Sequence, residues 1–193
     1  MQGYNLHTTQ GFTLFDLLVA LTVVGILTAV GTPAMTTFLA QQKAFETSQT
    51  LAGQMRAARE LAVVSGKPTI LCGTSDGENC IKNNFDKVMV FVDTNHNYRR
   101  DGDEVHLNLR GLSTSAGNLR LAASLGRPYL QYTPEGYANP YGSFYYCPRD
   151  GSMRQLIQRI TTNNVGRAYI AEPVAAFGEV RKEGASKDAI DCP

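Results

Sequence analysis

The sequence predicts an α+β protein in which one long N-terminal helix packs on an antiparallel β-sheet head. Three observations carry that expectation. Residues 11–39, GFTLFDLLVALTVVGILTAVGTPAMTTFL, hold a single charged side chain, Asp16. An amphipathic pattern continues from this run to Ser65-Gly66, and beyond it the period changes to short extended runs separated by turn residues.

The apolar run comes first. From Phe12 to Pro33 a helix rising 1.5 Å per residue spans about 32 Å, close to the hydrocarbon thickness of a bilayer, which predicts a membrane-spanning segment over 12–33. A carboxylate at mid-bilayer costs up to about 3 kcal/mol and calls for a partner. Asp16 lies five residues after Gly11, where a polar leader meets the apolar run. A cut between Gly11 and Phe12 would create an amine that titrates near pH 8 and stays largely cationic at neutral pH, within reach of Asp16.

The second half of the helix is expected over 34–65. Phe38, Phe45, Ala52, Met55 and Ala62 trace an apolar stripe, with Gln41, Lys43, Glu46, Gln49 and Arg56 between them. Pro33 is the expected bend, and Ser65-Gly66 with Pro68 just beyond is a stop signal. Strands are expected near Thr69–Cys72, Lys87–Asp93, Glu104–Leu109, Asn118–Leu121, Tyr129–Thr133, Ser143–Cys147, Arg154–Thr161 and Arg167–Ala171. The breakers SDGEN, GRP, PEGYANPYG, PRDG and TNNVG fall between them and leave room only for antiparallel connections.

Length and charge bound the function. Of 193 residues, roughly 150 follow the membrane segment, enough for one globular domain without metal or cofactor support. Lys+Arg 18 against Asp+Glu 17 gives +1, so any case for nucleic acid is local. Four cysteines behind an exporting N-terminal segment imply an oxidising compartment and disulfides, with three pairings open. Cys72 and Cys80 flank a short turn-rich loop; Cys147 would then join Cys192 and tie down the C-terminal tail. His7, His96 and His106 form no group, and no nucleophile elbow or phosphate-cradling loop is present, so neither an enzyme nor a cofactor is expected.

The stretch from Asp93 to Glu104 places Asp93, Asn95, Asn97, Asp101 and Glu104 at positions one, three, five, nine and twelve of a calcium loop. Tyr98 occupies the sixth position, where the turn needs Gly, and Arg99 and Arg100 add positive charge. A polar strand connection, without metal, is the expectation.

Gly11-Phe12-Thr13-Leu14 followed by Asp16 and an apolar helix resembles the class III signal of type IV pilins and type II secretion pseudopilins, and Pro33 falls at the twenty-second position after the cut, where many pilins carry a helix-kinking proline. The order RAARELAVVSGKPTILC, VMVFVDTNHNYRRDGDEV, YTPEGYA, GSFYYC and VGRAYIA is similar to the GspH/FimT family. The resemblance implies a leader, 1–11, removed by a prepilin peptidase, N-methylation of Phe12, and a helix that packs with other pilins in a filament core. Asp16, where the family usually has Glu, pairs there with the Phe12 amine of a neighbour. It also implies a single-pass inner-membrane precursor with a periplasmic head over 66–171, a tail over 172–193, and a role as minor pilin or pseudopilin of a type IV pilus or a type II secretion pseudopilus. The leader has no Lys or Arg, so orientation follows from the motif. Finally, Gly166-Arg167 resembles the start of the GRxR motif by which FimT-type minor pilins bind DNA during uptake. Tyr169 stands where the second arginine would be. With Arg154 and Arg159 nearby, DNA is the second candidate partner.

Overall fold

The computed structural model describes residues 13–102, 104–112, 114, 117–149 and 151–171. The chain divides into two compact units, residues 1–39 and 40–193. Helix α1 (Leu14–Ser65) begins in the first and ends in the second, and is unbroken through position 33. Eight strands follow: β1 (Thr69–Thr74), β2 (Lys87–Val92), β3 (His106–Gly111), β4 (Gly117–Ala123), β5 (Leu130–Tyr132), β6 (Gly142–Pro148), β7 (Gln158–Thr162) and β8 (Ala168–Ala171). Each expected strand is present within a few residues, except that Arg154 belongs to a 3-10 segment, Gly151–Leu156, and the strand starts only at Gln158. The strands form two four-stranded antiparallel sheets rather than one, ordered β3-β2-β1-β5 and β4-β6-β7-β8.

In the first unit the helix is apolar on every side and exposed on every side: Leu14, Phe15, Leu17, Leu21, Ile26 and Leu27 each show 60% or more of their surface. Among the described residues no helix is long and apolar enough to cross a membrane. Side chains described without a break over 14–29 cover about 24 Å of axis. Phe12 and the Val30 side chain, on which the longer run depends, lie outside the described residues.

In the second unit the helix is amphipathic. Its buried face is Ala44, Thr47, Ser48, Leu51, Ala52, Met55, Ala58 and Ala62, an i, i+3, i+4, i+7 series. Phe38 and Phe45, expected on this stripe, are instead exposed at 52% and 60%. The face is made of small residues because the bulk comes from the sheets. Leu71, Val88, Val90, Leu119, Leu121, Phe144, Tyr146 and Ile160 share one core with it. Phe85 meets Phe144 edge to face, ring centroids 5.8 Å apart.

Strands β1 and β2 are buried on both faces. Alternate residues Ile70, Cys72, Met89 and Phe91 form a second cluster with Tyr129 on the side away from the main core. Two loops cover it. The Cys72–Cys80 disulfide, with Cα atoms 5.5 Å apart, holds the first. Within that loop Asp76 accepts from the Asn79 side chain at 2.8 Å and from the Asn79 and Glu78 amides, which hold its carboxyl well below the usual carboxylate range. The second loop is 93–104, whose Tyr98 stacks on Tyr129 at 5.1 Å. Arg100 joins the two loops by donating to the Gly77 carbonyl at 2.9 Å. Cys147 is also disulfide-bonded; its expected partner, Cys192, and the tail lie outside the described residues.

Two outcomes follow for stability. A Cβ on Gly73 would run into the Phe85 ring, which is fully buried and fixed against Phe144. Gly73→Ala should therefore lower stability by about 1–3 kcal/mol, read as a lower thermal midpoint of the purified chain. Tyr132 is fully buried, and its hydroxyl and that of Thr162 have no partner at bonding distance among the described residues. Burial pushes the Tyr132 hydroxyl up to about 12, the nearby Thr162 hydroxyl and Arg59 charge tempering the rise. A raised folded value means stability that is complete below the unfolded value of about 10 and lost as pH climbs through 12. Tyr132→Phe should leave the midpoint at pH 7 unchanged or higher and should reduce the loss of stability between pH 10 and 12.

Candidate functional site

Two regions hold Asp16, Gly166 and Arg167, three of the residues singled out by the sequence. At the N-terminal end of α1, Thr13 and Asp16 form a reciprocal cap. The Asp16 carboxylate accepts from the Thr13 amide at 3.0 Å and the Thr13 hydroxyl at 2.7 Å, and the Thr13 hydroxyl accepts from the Asp16 amide at 3.2 Å. With Thr13 at the N-cap and Asp16 at the third helical position, this is a capping box, which satisfies amides that the first turn leaves without partners. The Thr-x-x-Asp spacing carries that signal in the sequence, next to the carboxylate's role as a charge partner. Gly11 and Phe12 lie outside the described residues, as does the Pro33 side chain. Thr22, Thr28 and Thr32 return their hydroxyls to helix carbonyls three or four residues back.

The second region is a cleft in the head of about 410 Å³, lined by Arg56, Arg59, Glu60, Val63 and Val64 of α1 and by Gly166, Arg167 and Ala168 at the start of β8. The turn between β7 and β8 is closed by the Gly166 amide donating to the Asn163 carbonyl at 2.9 Å and the Arg167 amide donating to the Asn163 side chain at 2.9 Å. Gly166 has φ 76°, and a Cβ there would overlap the Gly136 carbonyl. Both the left-handed backbone and the close approach require glycine. The same Gly136 carbonyl accepts from Arg59 Nε at 2.9 Å. That bond leaves the rest of the Arg59 guanidinium at the cleft beside the exposed Arg56 and Arg167.

The arginines of the sequence reading are thus not one group. Arg167 and Gly166 line the cleft. Arg159 is half-buried on β7, paired with Tyr145 and Ala171 across the sheet, and Arg154 lies on the preceding 3-10 segment with its side chain outside the described residues. Arg56 and Arg59 are the members the sequence does not reveal, because more than 100 positions separate them from Arg167.

Three carboxylates of the 93–104 loop, those of Asp93, Asp101 and Glu104, are satisfied within it. Asp93, fully buried, accepts from the Asn97 and Tyr98 amides at 3.1 and 3.2 Å; Glu104 accepts from the Thr94 and Asp101 amides at 2.8 and 3.2 Å. Asp101 accepts from the Asn95 and Asn97 side chains at 2.7 and 2.9 Å. Tyr98 does adopt the left-handed backbone, φ 61°, that the sixth position of a calcium loop requires, held there by its stack on Tyr129. Among the described residues no group of three or more His, Cys, Asp or Glu is placed to hold a metal ion.

Among solved structures the chain is similar to the type IV minor pilin FimU of Pseudomonas aeruginosa PAO1, with 14% identity, 70% of this chain and 93% of that one covered, and a TM-score of 0.52. A minor pseudopilin, EpsH from the type II secretion system of Vibrio cholerae, aligns at 17% identity over 68% of this chain and 98% of that one, with a TM-score of 0.48. At such identities the FimU likeness is one of fold, and the EpsH score adds no weight to it. No curated protein sequence matches the chain. The profile of the family described as Type II transport protein GspH matches residues 47–166, from the buried face of α1 to the turn before β8. By that match, which covers more than half of its length, the chain belongs to the GspH family.

Proposed function

We propose that the chain is a minor pilin or pseudopilin: a structural subunit, not an enzyme, that reaches the inner membrane as a single-pass precursor with a periplasmic head. It is processed by a prepilin peptidase after Gly11, methylated at Phe12, and inserted with other pilins into the core of a type IV pilus or a type II secretion pseudopilus. One observation carries this reading above the others. The helix over 14–29 is apolar and exposed around its whole circumference, a surface that a bilayer or a bundle of like helices covers and that water does not. Family membership and the FimU-like fold support it.

Asp16 has two roles to separate, capping its own helix and pairing with the Phe12 amine of a neighbour. Asp16→Asn keeps an oxygen able to accept from Thr13 but removes the charge; Asp16→Ala removes both. If the ion pair drives assembly, both variants should insert in the membrane and both should be depleted from sheared filaments or pseudopili by at least about tenfold. Incorporation of Asp16→Asn at the wild-type level would reduce Asp16 to a cap, whose loss costs about 0.5–2 kcal/mol.

A second reading, a DNA-binding minor pilin acting in uptake, is favoured by the Arg56–Arg59–Arg167 cleft, where helix arginines stand in for the arginine that Tyr169 replaces. Phosphate contacts of this kind give sequence-independent, salt-sensitive affinity. In a gel shift with duplex DNA, Arg56→Ala and Arg167→Ala should each weaken binding and each lower the slope of log affinity against log salt by about 1. Undiminished binding by the double variant would remove the cleft as the DNA site.

A further inference from the structure

On the far edge of the second sheet the head carries another basic recess. Residues 82–84 leave the disulfide loop and run along β4. The Leu121 amide donates to the Lys82 carbonyl at 2.7 Å, the Asn84 amide donates to the Leu119 carbonyl at 2.8 Å, and Asn83 bridges Arg120. After β4 the chain turns through Ser124–Gly126, pinned by the Ser124 amide donating to the Tyr141 carbonyl at 2.7 Å, and returns with Arg127. Between these segments lies a recess of about 220 Å³ whose lining includes Lys82, Asn83, Arg120 and Arg127 and no carboxylate. Lys82 and Arg127 are exposed.

A leucine stands in the turn at this recess. Leu125 adopts a left-handed backbone, φ 59° and ψ 15°, with 80% of its surface exposed, directly before the lining residue Gly126. A side chain in that conformation is strained, and contact with the head's own core does not offset the strain, since Leu125 is exposed. Strain combined with an exposed apolar side chain marks a functional position more than a structural one.

We propose that this recess docks an acidic segment carrying an apolar residue, from the head of a neighbouring subunit. The inference rests on the assembly reading above. The volume is below the about 300–1,000 Å³ of small-molecule pockets, but it admits one or two carboxylate side chains. The cations orient such a segment, and the leucine gives it an apolar contact that a phosphodiester chain has no group to match.

The test uses the full chain in cells that assemble the filament, with a photo-crosslinking residue in place of Ala122, an exposed residue of the recess. Filament incorporation is scored separately by shearing. The expected crosslink maps, by mass spectrometry, to an Asp/Glu-rich segment of another subunit's head. Its yield should fall at least tenfold in the Lys82→Glu, Arg127→Glu double variant. Leu125→Gly, which relieves the left-handed strain, should lower the yield several-fold while leaving the thermal midpoint unchanged or raised, a combination that a merely structural leucine would not give. Incorporation without a crosslink, a crosslink to nucleic acid or to apolar helices, or an undiminished crosslink from the charge-reversed chain would each overturn the docking site. A chain absent from filaments would instead overturn the assembly reading, and this partner with it.

Discussion

The head depends on one face of α1 sharing a core with two sheets at once. Its buried face offers alanines at 44, 52, 58 and 62, with Ser48 between them and only Leu51 and Met55 projecting far. Small residues let β1, β2 and β5 of one sheet and β4, β6 and β7 of the other send Leu71, Val90, Tyr132, Leu121, Phe144 and Ile160 into one core. A bulkier residue at Ala52 or Ala58 would have to displace several of these, in an interior that tolerates an added methylene poorly. The second layer follows from the same packing. With one face of β1 and β2 against the helix, the other face still presents Ile70, Met89 and Phe91, which would be exposed but for the disulfide loop and the 93–104 loop. The cystine, the Tyr98–Tyr129 stack and the Arg100–Gly77 hydrogen bond are therefore parts of one cover, and the self-satisfied carboxylates of Asp93 and Glu104 keep its loop in shape.

Local features of this fold were legible in the sequence, and features made by distant pairing were not. Breakers rich in Gly, Pro, Asn and Asp mark five of the seven strand connections, because a turn residue acts where it stands. The stop at Ser65-Gly66 is legible for the same reason, and Gly66 takes φ 64°. Division into two sheets depends on which strands pair, and no local pattern encodes that β5 returns to β1 while β4 joins β6. The start of β7 is obscured by Leu156 and Ile157, which extend the apolar run of the strand back into a 3-10 segment. Phe38 and Phe45 mislead in the other direction. Both are large and apolar, yet the buried face runs through Ala44, Leu51, Ala52, Met55, Ala58 and Ala62 and leaves the two phenylalanines outside. Arg56 and Arg59 reach Arg167 only through the fold, whereas the Gly166-Arg167 pair was visible as a motif.

That pair has a structural content independent of charge. Gly166 is required by its left-handed backbone and by the Gly136 carbonyl against it, and Arg59 bonds to the same carbonyl. The glycine therefore locks the turn before β8 onto the loop before Ala138, and in doing so fixes where Arg167 emerges. The family match ends at this glycine. Packing would preserve it in a head that binds no nucleic acid at all, so the motif by itself is weaker support for DNA than the clustering of three arginines around it.

For the first unit the energetic question is what distinguishes a filament from a bilayer. Exposed apolar side chains such as Leu21, Ile26 and Leu27 strongly disfavour water, by about 1.5–3 kcal/mol for each side chain fully buried. Lipid and neighbouring helices relieve that cost almost equally, because acyl chains are as apolar as leucine. On the proposed route from membrane to filament these residues therefore hold the helix out of water without choosing its destination. Nor do Thr22, Thr28 and Thr32 call for a partner, since their hydroxyls already bond to carbonyls of their own helix. Asp16 differs. Its cap to Thr13 occupies one carboxylate oxygen, and no ion pair to it is present among the described residues. A neighbour that brings a cation to that charge offers what acyl chains do not, so on the same proposed route Asp16, the one charge of residues 14–39, is the side chain that would direct assembly.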